Sequence, residues 1–356
     1  METTRYDVVV VGGGAAGLSA ATTLGRALRS VLVIDSGTPR NAPATGVHGF
    51  LSRDGAKPSE LLSVGRSEVL SYGGTVVDGE AVSARRTPAG FEVILGDGRR
   101  FSGRRLLVTT GLTDELPPID GLREQWGRGV VHCPYCHGWE IRGQRIGVLG
   151  TGPLSVHQAL LFRQWSRDIT LFLNDTVEPT DEEWDKLAAR SVTVVDGAVA
   201  SVDAADGVLT GLTLRQGPSF EVQALAVGTR MEARSAFLES LGLSSQAHPS
   251  GAGRFIETDA MGATTVSGVY AAGNVSNLMA QVITAAAEGV MAGARINADL
   301  IEEETRRAVE GHFGPFSAAS EAAVSKIVLG HRRHGLNDGQ KAADVGPAAT
   351  VEKDLA

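Results

Sequence analysis

Cysteine is nearly absent from this chain: Cys133 and Cys136, three positions apart, are the only two in 356 residues. So sparse a supply excludes a scaffold stapled by disulfides and leaves redox exchange or metal ligation as the chemistry two neighbouring thiols can carry. Positive charge is also short, with 33 Lys and Arg against 41 Asp and Glu and a net charge of -8. Nucleic acids and anionic membrane surfaces need clustered cations, and no such face is visible, so both are excluded as partners. No apolar run reaches the roughly 18 residues of a membrane span. The opening "METTRYDVVVVGGG" runs directly into a strand, with neither a basic n-region nor a cleavage site, so a soluble, cytoplasmic protein is expected. What the chain does have is glycine, 45 residues, and an apolar fraction of 42%, enough for a sizeable core at a length suited to two domains, or a domain pair with a tail.

Two segments read as nucleotide-binding units. In "YDVVVVGGGAAGLSAATTLGRALRSVLVIDSG" a β-branched run, Val8 to Val11, stops at Gly12-x-Gly14-x-x-Gly17. A helix pattern follows from Ala15 to Leu28, and a second strand, Val31 to Ile34, ends at Asp35. Gly12 suits the tight turn, Gly14 the approach of backbone to a pyrophosphate, Gly17 the packing of helix on strand, and Asp35 the ribose hydroxyls. The second unit is "QRIGVLGTGPLSVHQALLFRQWSRDITLFLND", with Gly150-Thr151-Gly152 as its turn and Ser155 where a third glycine would stand. Between the two lie a strand from Leu106 to Thr109, a turn at Gly111 and the stiff Pro117-Pro118 pair. Later, "TTVSGVYAAGNVSNLMAQVITAAAEGVMAGARINADL" offers a strand, Gly268 to Ala271, a Gly273-Asn274 turn and an Ala-rich helix from Gln281.

The order of parts, GGGAAG, TTG, Cys-x-x-Cys, GTGPLS and AAGN, resembles the low-molecular-weight thioredoxin reductase family from about Tyr6 to Leu300. The resemblance implies an α/β fold of two Rossmann-type nucleotide-binding domains, the second inserted in the first. The expected parts are an FAD domain over residues 1–113 and 244–300, an inserted pyridine-nucleotide-type domain over 114–243 carrying the cysteine pair, and a C-terminal helical extension with a loose tail over 301–356. FAD is the implied cofactor and a homodimer the implied assembly. The implied FAD residues are Gly12, Gly14, Ala16, Gly17, Asp35, Arg40, Asn41, His48, Val82, Thr110, Gly111, Gly273, Asn274, Gln281 and Val282. Asn274 is a departure, since the reductases usually carry Asp there to bond the ribityl chain; an amide can also donate or accept.

In "VVHCPYCHGWE" a zinc site would need four ligands, and His132 and His137 abut the cysteines too closely to complete a tetrahedron easily. A Cys-x-x-Cys beside a helix start instead lowers a thiol pKa and favours exchange. The resemblance assigns Cys136 to the flavin side and Cys133 to the substrate. Where the reductases have an acid after the second cysteine this chain has His137, whose imidazole suits removal of a thiol proton near neutral pH; His132 reads more simply as a packed neighbour. A second departure concerns NADPH. From Asp168 to Asp185 the chain has seven acidic residues and no Lys or Arg, where NADPH users place cations for the 2'-phosphate. Asp175 could still meet the ribose of NAD.

"HCPYCHG" and the loop "RNAPATGVHGFLSRDG" look most like the dithiol oxidase branch of the family, the gliotoxin- and holomycin-type enzymes that close disulfides in natural products. The implied activity is oxidation of a small dithiol, with oxygen as acceptor and hydrogen peroxide as product. Reduction of a thioredoxin-like protein and a non-catalytic flavin redox sensor are the alternatives. Phe316, Ala319, Ala323 and Ile327 stand at helical spacing in the extension, the basic knot His331 to His334 follows as a cap for that helix, and Asn337 to Ala356 reads as loose.

Overall fold

The first glycine motif folds as its spacing requires in a computed structural model that describes residues 5–312 and 318–329. Strand β1 (Arg5–Val11) runs into the turn, α1 (Ala15–Arg26) and β2 (Val31–Asp35). β1 and β2 pair in parallel, Val8 against Val31 through Val11 against Ile34, and the four valines of β1 are buried. α1 stops before the expected Leu28, which takes a left-handed conformation, φ 60°, and is 94% exposed. After α2 (Pro58–Ser71) the strand β3 (Thr75–Asp78) extends the sheet beyond β2. Strands β4 (Ala81–Thr87), β5 (Gly90–Leu95) and β6 (Arg100–Val108) form an antiparallel meander, and β6 returns to lie parallel to β1.

The chain leaves this sheet along β7 (Leu112–Glu115). A second parallel sheet follows from β8 (Val130–Val131), β9 (Ile146–Leu149), β10 (Ile169–Phe172) and β11 (Thr193–Val195), with α3 (Pro134–His137), α4 (Ser155–Phe162) and α5 (Asp181–Ala189) in its connections. A small antiparallel sheet, β12 (Val199–Ala205), β13 (Val208–Leu214) and β14 (Ser219–Glu221), precedes β15 (Ala224–Val227), which inserts between β8 and β9. The chain comes back along β16 (Arg230–Ala233), antiparallel to β7 with Ala233 opposite Leu112. β17 (Gln246–Ala247) and β18 (Gly253–Phe255) complete that four-stranded sheet, and β19 (Val269–Ala271) rejoins the first sheet beside β6. Outgoing and returning strands side by side, with the first sheet completed from both ends of the chain, are the topology of one Rossmann-type unit inserted in another. Phe237, Leu238 and Leu243 already pack in the core of the first sheet with Val9, Ile34 and Val108.

Two compact bodies divide the chain, Met1–Asp299 and Leu300–Ala356. Within the first, α6 (Val282–His312) begins against α1: a Cβ on Gly289 would stand 2.0 Å from the carbonyl oxygen of Ala16, so only glycine allows the two helices to approach this closely. The second body contains the rest of α6 and α7 (Ala318–Leu329). Ile327, expected on a packed face, is exposed, as are Val324 and Val328. Phe316, the basic knot at His331 and the tail from Asn337 lie outside the described residues. Among the described residues no helix is long and apolar enough to cross a membrane.

Candidate active site

The carboxyl ends of β1, β2, β6 and β19 border a cleft of about 1030 Å³, the place where open parallel sheets bind their ligands. Gly12, Gly14 and Ala16 line it, as do Asp35, Arg40, Asn41, His48, Thr110, Gly111, Gly273, Asn274, Gln281 and Val282. Gly17 stands behind the lining, where a Cβ would lie 1.9 Å from the carbonyl oxygen of Gly12. Val82 is the exception: it is 52% exposed and outside the cleft. A register shift between Ala81 and Ser83 breaks the alternation of β4 and leaves Val82 facing solvent, while its neighbour Ala81 lines the cleft.

Several observations fit a bound dinucleotide. Among the described residues, no atom beyond its chain neighbours lies within 4 Å of where a Cβ on Gly14 would stand, and the start of α1 has no side-chain cap, so its first amide N–H groups are available to an anion. Arg66 bonds Asp35 and also Asp78, at 3.1 Å, which orients the Asp35 carboxylate at the cleft edge. The Asn274 amide donates to the carbonyl oxygens of Asn277 at 3.0 Å and Ala280 at 2.9 Å. Carbonyls only accept, so the nitrogen must face them, and Oδ1 is the acceptor Asn274 can offer the cleft. Glu288 on α6 holds the same turn, accepting from the Gly273 amide at 2.9 Å and from Asn277 at 2.7 Å. The second glycine turn differs. There the Ser155 hydroxyl accepts from the amides of Thr151 at 3.0 Å and Gly152 at 3.3 Å, occupying the donors that would cradle a phosphate.

Cys133, Cys136 and His137 line the same cleft. Cys133 is the N-cap of α3, Pro134 takes the first helical position, and the two free sulfurs lie 2.6 Å apart. The Cys136 thiol donating to it brings the Cys133 thiol down to about 7 against the opposing effect of burial, with help from the backbone amides of Cys136 and Tyr135 and the charge of Arg40. Cys136 is pushed up by the same sulfur pairing and by burial. Burial also lowers His137 from the usual histidine value, so its imidazole is neutral near pH 7, and its buried Nδ1 has no hydrogen-bond partner among the described residues. His132 is spoken for: its Nδ1 lies 3.0 Å from the carbonyl oxygen of Val227. His48 stands between Asp54, at 3.5 Å, and Glu140, at 3.6 Å, which brings the loop after β2 against the cysteine segment.

Arg40 makes two 2.7 Å hydrogen bonds to Asp114, which also accepts from Thr229 at 2.6 Å. Burial favours the neutral Asp114 acid, but Arg40 and Thr229 outweigh it and hold the carboxyl below its usual range. Sequence reasoning missed Asp114, Thr229, Arg66 and Glu288. Their partners are distant in the chain and no local spacing marks them; only "TTGLTD", with an acid just after the glycine turn, offered a hint for Asp114.

Two thiols and a neutral imidazole on the wall of a cleft that fits a dinucleotide are the equipment of an oxidoreductase. Residues 6–289 match the family model of the pyridine nucleotide-disulphide oxidoreductases. The chain is 31% identical to "Thioredoxin reductase tcpT" of Claviceps purpurea (strain 20.1), covering 83% of this chain and 95% of that protein. It is 30% identical to "Thioredoxin reductase sirT" of Leptosphaeria maculans, covering 82% and 93%. The crystal structure of HlmI superposes with a TM-score of 0.81 at 43% identity, covering 87% of this chain and 97% of that one. The chain belongs to the pyridine nucleotide-disulphide oxidoreductase family, among its thioredoxin reductase-like flavoproteins.

Proposed function

We propose that this protein is an FAD-dependent dithiol oxidase that closes a disulfide in a small dithiol, with molecular oxygen as the terminal acceptor. The observation that carries the reading is the Ser155 hydroxyl on the amides of Thr151 and Gly152. With those donors taken and no Lys or Arg between Asp168 and Asp185, the second unit offers a nicotinamide dinucleotide little, which supports entry of electrons from the thiol side.

His137, neutral near pH 7, takes the proton of an incoming substrate thiol. The thiolate attacks Sγ of Cys133, the Cys133–Cys136 bond breaks, and Cys136 leaves as a thiolate. The second substrate thiol gives its proton to the Cys136 thiolate, which the Cys133 sulfur beside it and burial make the stronger base, and attacks the substrate sulfur of the mixed disulfide, expelling Cys133. Here the depressed Cys133 pKa matters, since a lower-pKa thiol leaves faster. The product is a substrate disulfide and the cysteine pair holds two electrons. Gly12, Gly14, Asp35 and Asn274 would hold FAD in the cleft, where it would supply a two-electron acceptor for the cysteine pair, with molecular oxygen as the final acceptor. A second reading, reduction of a thioredoxin-like protein, is favoured by the names of tcpT and sirT.

The test is anaerobic mixing of the FAD-loaded protein with excess dithiothreitol. Bleaching of the flavin absorbance, followed on admission of air by its return with one hydrogen peroxide per disulfide, is expected. A flavin that stays oxidised under dithiol would end the oxidase reading.

A further inference from the structure

The loop after β2 meets the cysteine segment at His48, whose ring has a carboxylate on each side: Nε2 lies 3.6 Å from Glu140 and Nδ1 3.5 Å from Asp54. Asp54 is braced in turn. Its carboxylate accepts from the Gly49 amide at 2.9 Å, so the loop closes on itself and sets the direction of the imidazole. The other end of this contact belongs to the segment that carries the base. Glu140 follows His137 by three positions, and its amide donates to the His137 carbonyl oxygen at 3.2 Å. The chain is still turning there as a helix does, and residues three apart in such a turn share a face.

His48 and His137 both line the cleft, whereas Glu140 stands outside its lining with its side chain 40% exposed. Burial is the strongest influence on His137 and disfavours its charged form. Of the other groups that act on it, Glu140 and the Cys133 backbone favour that form, while His48 from the loop after β2 and His132 beside β8 oppose it. A buried base that takes a proton becomes an imidazolium with little water around it, and a neighbouring carboxylate offsets that cost. A carboxylate on a partly exposed side chain also has other rotamers open to it. Contact with His48 restricts them.

We propose that Glu140 is a positioning residue that acts through His137: it stabilises the imidazolium formed when the histidine takes a substrate proton, and His48, braced by Asp54, holds the carboxylate in place. The proposal rests on the dithiol oxidase reading and adds to it the groups that support its base.

The test reads His137 directly. In the air-oxidised, FAD-loaded protein with isotope-labelled histidine, the His137 resonance is assigned by its loss in His137→Gln and followed against pH by NMR. Glu140→Gln should move its titration to lower pH, because the charge that favours the imidazolium is gone. In turnover of dithiothreitol the acid limb of kcat/KM should move the same way, and the plateau should fall by about fivefold, the upper end for one partly exposed charge pair. Glu140→Asp should recover part of that loss. In the double variant His48→Gln, Glu140→Gln, the histidine substitution should add no more than about twofold, since it acts through the carboxylate. FAD content shows that each variant is folded. A His137 titration that Glu140→Gln leaves in place overturns the proposal, and so does a loss of rate with the acid limb unmoved, which would make Glu140 merely structural. Fully additive losses in the double variant overturn the part given to His48. Absence of turnover in wild type counts against the oxidase reading alone, because the NMR titration does not depend on the chemistry.

Discussion

Cys133 and Cys136 receive different treatment from the short helix between them. Cys133 has the amides of Tyr135 and Cys136 and the partner thiol directed at it, whereas Cys136 is raised chiefly by that same partner sulfur and then by burial. Single substitutions should therefore fail differently. In Cys133→Ser the sulfur that raises Cys136 is gone, and the lone thiolate beside bound FAD should give a long-wavelength absorbance band. Cys136→Ser keeps the amides on Cys133 and should trap substrate as a stable mixed disulfide, seen as an intact-mass increase, with no such band. The band appearing in the other variant would exchange the two roles. For His137 the sign follows from burial: a base is competent when neutral, and its lowered pKa moves the acid limb of kcat/KM below the usual histidine value near 6.5. His137→Ala should lose roughly 10² to 10⁴ in rate near pH 7 and regain much of it at high pH, where substrate thiols ionise unaided. A pH–rate profile for the variant that matches wild type would remove the histidine from the chemistry.

At the scale of elements, the loop after β2 and the strand β7 are joined by Arg40 and Asp114. Their side chains are 27% and 7% exposed, so the carboxylate depends on its partner for solvation. Because Asp114 titrates below its usual range, the pair's contribution is complete above the unfolded value near 4 and is lost as pH falls through the lower folded value. Arg40→Gln should cost about 3 kcal/mol at pH 7, as breaking a buried pair does. The gap to wild type should narrow below about pH 4, as read from urea unfolding at the two pH values. An equal cost at both would mean that packing, not charge, is what Arg40 supplies. Nothing local in "TPRNAPATG" or "GLTDEL" signals this pairing. The elements themselves were far more legible, since β1, α1 and β2 follow directly from a valine run, a glycine triad and helical spacing.

For the whole molecule, the two sheets have the same plan and unequal capacity. Neither α1 nor α4 has a side-chain cap, but the first turn opens on the cleft, whereas in the second the Thr151 and Gly152 amides are bonded to Ser155. NADPH at micromolar concentration should therefore leave the flavin oxidised in anaerobic stopped-flow, on the same preparation that a dithiol bleaches. Rapid bleaching by NADPH would place the reductant site in the second unit after all and revive the reductase reading.

The sequence by itself determined the class of fold and the chemistry at stake, because both depend on neighbours along the chain: glycines spaced for a tight turn, β-branched runs, two cysteines three apart. The outward turn of Val82, the partner of Asp114 and the bonding of Ser155 to its turn were decided by tertiary structure. Each depends on atoms that meet across a sheet, a strand face or a turn. Surroundings set the remaining part: burial on the cleft wall lowers His137, and the Cys136 thiol, acting against burial, makes Cys133 the thiol that ionises first.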